Sequence, residues 1–141
     1  MKLHVRWDGS DSEQPDAAYG GLVWEHEGAC FPHAGHRDFV ADVLAQWSVA
    51  MRELLRGAEA VTLAYVEDGH ALDVSRVAGD RCVVMLRGVA PPVAWPADVR
   101  ELATMVCEAA AHVAARVPDA AALAQDAVTL RRALDARGAS A

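Results

Sequence analysis

Hydrophobic and polar positions alternate from the start of the chain. Leu3, Val5 and Trp7 interleave with Lys2, His4 and Arg6, the period of a strand with one buried face. Asp8–Ala18 is rich in Asp, Ser, Glu and Pro and reads as an exposed loop. Gly20–His26 carries Leu22 and Trp24 on one face, Glu27-Gly28 is a turn signal, and Ala29–Phe31 is placed to pair back on the same ribbon. His33–Gly35 then connects to a helix predicted from about Arg37 to Arg56. Its apolar positions, Phe39, Val40, Val43, Leu44, Trp47, Met51, Leu54 and Leu55, advance in steps of three and four and draw one broad stripe. Asp38 is expected in the first turn, opposite the positive end of the helix dipole. Arg52 and Arg56 fall in the last turn, and Gly57 supplies a left-handed stop.

Beyond Gly57 the period becomes that of strands. Val61–Val66, Ala71–Val77 and Arg81–Arg87 are separated by Glu67-Asp68-Gly69 and Ala78-Gly79-Asp80, which predicts an antiparallel meander. Its inward residues are expected to be Leu63 and Tyr65, Leu72 and Val74, and Val84 and Leu86, with either parity open in the first and last runs because both of their faces are apolar. Gly88–Trp95, with Pro91 and Pro92, reads as a linker. Pro96 is expected in the first turn of a second helix whose seam is Val99, Leu102, Val106, Ala109, Val113 and Val117. Pro118 breaks that helix, and Asp119 is placed to cap a third bearing Leu123, Ala127, Leu130 and Leu134. The predicted fold is α+β: an antiparallel sheet of about five strands packed on one long helix, with two further C-terminal helices. It forms a single domain over residues 1–141, with strands, helix and meander in 1–87, a linker in 88–95 and helices in 96–137. The alanine-rich helices suit close packing on the sheet or against another chain, so a homodimer through them is a further expectation.

A chain of 141 residues can bury one respectable core. Charges interrupt the longest apolar windows well short of a membrane span, and the first residues contain no apolar signal core, so membrane insertion and export are not expected. Cys30, Cys82 and Cys107 form an odd set without paired spacing, as in reduced cytoplasmic proteins. The net charge of −7 disfavours contact with nucleic-acid phosphates. It suits docking on a basic protein.

The densest chemistry is His26, Cys30, His33 and His36. Thiolate and imidazole are zinc ligands, yet this spacing is not that of a knuckle, and four ligands from one short loop need a contorted backbone. The expectation is a surface loop without metal. Cys30 with His33 or His36 as base lacks an orienting acid and an oxyanion glycine pair. Cys82 and Cys107 belong to apolar faces, His4 and His70 are expected in solvent, and His112 borders a helical seam. No phosphate-binding, nucleophile-elbow or HExxH motif is present. Neither catalysis nor a cofactor is expected. For partner binding, the acidic residues Asp8, Asp11, Glu13, Asp16, Glu25 and Glu27 concentrate on the N-terminal segment, against only Lys2 and Arg6. Trp95, flanked by prolines, is expected at the surface as an aromatic anchor.

Phe31-Pro32, Asp38-Phe39, Leu44, Trp47, the Gly57 stop and the Asp68-Gly69 turn together resemble a family of small bacterial proteins, some encoded beside secreted polymorphic toxins. The resemblance covers roughly residues 20–87, with His36 where the family usually shows Trp. It implies an immunity protein that binds a cognate toxin domain in the cytoplasm and occludes its active cleft. The matched residues are scaffold positions, so the resemblance carries over no interface residue. The order of a strand meander, a Pro-containing linker and a late helix is also similar to acidic type III secretion effector chaperones, although those begin with a helix. A small enzyme using Cys30 and the histidines is the third class.

Overall fold

The computed structural model describes residues 1–7, 18–117 and 120–139, and these form an α+β protein with two antiparallel sheets rather than one. In the first sheet, β1 (Lys2–Arg6) pairs one edge of β2 (Tyr19–His26). The other edge of β2 is shared by β3 (Ala29–Phe31) near its end and β4 (Arg37–Phe39) near its start. The second sheet is the meander β5 (Ala60–Ala64), β6 (Ala71–Ala78), β7 (Arg81–Leu86) and β8 (Ala94–Asp98). Three helices accompany them: α1 (Val40–Leu55), α2 (Val99–Ala114) and α3 (Ala121–Ala139).

The strand parity expected of the meander is found. Leu63, Tyr65, Leu72, Val74, Val84 and Leu86 are all buried, and the turns place Gly69 and Gly79 at positive φ. The α1 stripe is also found, with Val40, Val43, Leu44, Trp47, Met51, Leu54 and Leu55 buried. The helix closes as its glycine requires. With Gly57 at φ 109°, the Gly57 amide donates to the Leu54 carbonyl and the Ala58 amide to the Glu53 carbonyl, the paired bonds of a left-handed cap. Guanidinium groups also reach this helix end: Arg76 donates to the Leu54 carbonyl beside the Gly57 amide, and Arg137 donates to the Leu55 carbonyl.

Three boundaries differ from expectation. Arg37–Phe39 is a strand because it pairs with Tyr19–Gly21, so α1 begins at Val40, where the Val40 amide donates to the Ala18 carbonyl. Asp38 is therefore not a first-turn dipole partner but a buried strand residue. The 88–95 linker ends early, because Ala94–Asp98 adds to β7 as the edge strand β8. An edge strand tolerates Pro96, whose missing N–H removes no ladder bond where the N–H side faces outward. Accordingly α2 starts at Val99, with the Asp98 carboxylate accepting from the Arg100 and Glu101 amides. The proposed break at Pro118 and cap at Asp119 lie outside the described residues.

One apolar cluster joins both sheets and all three helices. α1 touches β2 and β5 and packs on α2 and α3, while α2 also meets β1 and β8. The seams Val99, Leu102, Val106, Ala109 and Val113 on α2 and Leu123, Ala127, Leu130 and Leu134 on α3 are buried in this chain's own core. Among the described residues, no helix is long and apolar enough to cross a membrane.

Candidate functional site

The two sheets meet where the β3–β4 connection approaches the β5–β6 hairpin, and this junction holds His36 and Asp38, two of the three buried polar or charged side chains among the described residues. β4 aligns with β2 so that Asp38 points inward, and its side chain is fully buried. One carboxylate oxygen accepts from its neighbour's amide, Phe39 N, at 2.8 Å. The other accepts from Glu67 N at 3.1 Å, which ties the first sheet to the hairpin of the second. His36 lies two residues earlier, is 2% exposed, and places Nε2 3.0 Å from the same oxygen. A carboxylate offers only acceptors, so Nε2 carries the proton in this pair and Nδ1 is left with its lone pair.

Aromatic rings close around His36. Tyr65 stands edge-on with centroids 4.7 Å apart, His70 at 5.5 Å and His33 at 5.5 Å, while Phe31 contacts both Tyr65 and His70. Burial, and then the charge of Asp38, push the Tyr65 hydroxyl well above its ordinary value, so it stays protonated at neutral pH. That hydroxyl has no hydrogen-bond partner among the described residues. Trp47 completes the floor: it packs at 5.1 Å on Tyr65 and 5.6 Å on Trp24, and its Nε1 donates to the Ala64 carbonyl at 2.8 Å.

His26, Cys30, His33 and His36 do not converge. His26 packs on Trp95 at 5.4 Å, Cys30 is exposed on β3, and only His33 and His36 are neighbours. A different trio does converge: one ligand atom from each of His36, Asp68 and His70 lies within 4.8 Å of the others. His70 is thus half-buried at the junction rather than simply solvated. Periodicity could not reveal this grouping, because it placed Asp38 on a helix. A His-x-Asp pair shares a face only if the segment is a strand.

Of the expected partner-binding residues, Asp8, Asp11, Glu13 and Asp16 lie outside the described residues. Glu25 sits on β2 beside His4, 3.4 Å away, and Glu27 stands at the β2–β3 turn with its side chain 85% exposed. Trp95 is a correction. It is 4% exposed, because β8 turns it inward against His26, and it offers no surface anchor. A separate open groove of about 910 Å³ runs between α2 and α3, floored by small residues including Ala111, Ala115 and Ala124, with Val128 at its side.

The thiols separate cleanly by environment. Burial raises Cys82 to about 11 and raises Cys107 as well, and the Cys107 thiol donates to the Ala127 carbonyl. Cys30 is exposed on β3, opposite Glu25 of β2. Native protein treated with a chromogenic disulfide reagent is expected to release one fast equivalent, from Cys30, with the other two appearing only on unfolding. Fast reaction of a second thiol in native Cys30→Ser protein would show that the β7 or α2 packing is wrong.

Comparisons with protein-family models, with curated proteins and with solved structures return no match.

Proposed function

We propose that this chain is an immunity-type inhibitor: it binds a toxin domain of a competing or sister bacterium and covers the active cleft. The observation that carries the reading is the convergence of the signature residues. Phe31, Asp38, Trp47 and the hairpin leading to Asp68-Gly69 come from distant parts of the sequence and lock one buried junction. His36 takes the place of the usual Trp inside a ring of aromatic neighbours, so an aromatic-type filling of that position is retained. The signature is thereby used for scaffold, and the Asp38–His36 pair is enclosed rather than opened to a substrate cleft. Recognition is left to acidic residues, which the sequence concentrates before residue 30 and of which Glu27 is exposed at the β2–β3 turn, a charge opposite to that of a phosphate-binding groove.

Co-expression with the protein encoded next to this gene tests the proposal. Restored growth together with a stoichiometric complex is the expected outcome. A neighbouring gene without toxicity, or a toxin that neither binds nor is neutralised, overturns it. Co-purification with a secretion effector instead supports the chaperone reading. The acidic surface has its own test in the triple variant Asp11→Asn, Glu13→Gln and Asp16→Asn. Rim charges act mainly on encounter, so association at low salt should slow by about tenfold, with the difference shrinking as salt rises. An unchanged association rate across the salt series would move the interface elsewhere, with the α2–α3 groove as the next surface to mutate.

A further inference from the structure

We propose that His36, Asp68 and His70 bind one divalent transition-metal ion of the zinc class, and that the ion staples the β3–β4 connection to the β5–β6 hairpin. This goes beyond the inhibitor reading and does not depend on it. It also departs from the expectation of a metal-free loop, since the ligands come from two sheets instead of from one short loop.

Two imidazoles and one carboxylate form a borderline donor set that suits zinc, and three protein ligands leave a fourth position for solvent or for His33, which already packs on His36. Metal-binding histidines characteristically give their second ring N–H to a carboxylate, which fixes the tautomer and strengthens the ligand. Asp38 is placed to do this. It engages Nε2 of His36 at 3.0 Å, so Nδ1 is the ligating atom, and Asp38 is itself held by two backbone amides. The buried support is therefore built before any ion arrives. Tyr65 adds an unpartnered buried hydroxyl to the wall of the same junction, and its oxygen is an acceptor of the kind that a metal-bound water, a strong donor, needs.

The geometry requires closure but little else. Tetrahedral coordination at zinc–nitrogen and zinc–oxygen lengths near 2.0–2.2 Å puts ligand atoms about 3.4 Å apart. The present group spans up to 4.8 Å. His36 is the fixed anchor, while Asp68 is exposed on a turn at φ 60° and His70 is half-buried, so rotation of these two side chains supplies the approach.

The experiment uses the full chain, stripped with chelator and dialysed against buffered zinc, with metal content and thermal midpoint both measured. One zinc per chain and a raised midpoint are expected. Asp68→Asn keeps a residue that tolerates positive φ and should weaken binding by about tenfold or more, and His70→Ala should abolish the midpoint rise. Asp68→Asn should match the wild type in circular dichroism and midpoint without metal, because Asp68 is exposed, whereas His70→Ala also loses ring contacts with Phe31 and His36 and is read by the change in its own midpoint when metal is added. His112→Ala, on the exposed face of α2, should bind as the wild type does. Cobalt in place of zinc should give the visible absorption of a tetrahedral nitrogen–oxygen site. Less than about a tenth of an equivalent bound, or binding that survives both His70→Ala and Asp68→Asn, would overturn the proposal.

Discussion

Trp47→Ala should lower the unfolding free energy by about 3–5 kcal/mol, the usual cost of truncating a large core aromatic. Trp47 is fully buried at the point where α1 supports both sheets: Trp24 of the first sheet stacks on it, Tyr65 at the end of β5 stands edge-on to it, and its indole N–H is bonded to Ala64. Removing the ring opens a cavity bounded by three elements that cannot all collapse inward together. Trp47→Phe separates the contributions. It keeps most of the ring contacts, loses the bond to Ala64, and leaves that carbonyl to find another donor, so its cost should be distinctly smaller. Urea unfolding reads both values. A midpoint for Trp47→Ala within error of the wild type would mean that the α1 stripe does not face the core.

The elements that could be read along the chain are those whose stabilising contacts repeat locally. The steps of three and four from Val40 to Leu55, and from Val99 to Val113, reflect a single buried helix face and were sufficient to identify it. Alternation in the meander identified Leu72 and Val74, while in the first and last runs both faces are apolar and packing on the core selects Leu63, Tyr65, Val84 and Leu86. What escaped is pairing between distant segments. Ala94–Asp98 contains a proline and follows two more, which is the composition of a linker; its strand character comes from lying beside Arg81–Met85 at the sheet edge. Arg37–Phe39 likewise owes its extended form to Tyr19–Gly21, and without that pairing Asp38 reads as a helix-start carboxylate. The candidate metal centre depends on the second of these corrections. His36 and Asp38 share a face only in a strand, and Asp68 and His70 reach them only because the two sheets abut. Trp95 was misplaced for the same reason, since prolines advertise exposure unless an edge position accommodates them.

Asp38→Ala should cost about 3–5 kcal/mol, comparable with Trp47→Ala although far fewer atoms are removed. The side chain is wholly buried and serves three donors: Phe39 N at the entry to α1, Glu67 N on the opposing hairpin, and His36 Nε2. Alanine strands these groups in a site that water does not reach, and the penalty for an unmade buried hydrogen bond is larger than the gain from a made one. The three donors make the loss divisible. His36→Phe removes only one of them, retains a ring among Tyr65, His70 and Phe31, and leaves Asp38 held by its two amides, so it should destabilise less than Asp38→Ala. Asp38→Asn should fall between them: its oxygen can still accept from one amide, but its NH2 then faces the N–H of Glu67 or of His36. Chemical denaturation of the three variants gives the order directly. Equal costs for His36→Phe and Asp38→Ala would show that the histidine contact, and not the bond to the hairpin, holds the sheets together. A cost below about 1 kcal/mol for Asp38→Ala would remove the junction as the feature that fixes one sheet against the other.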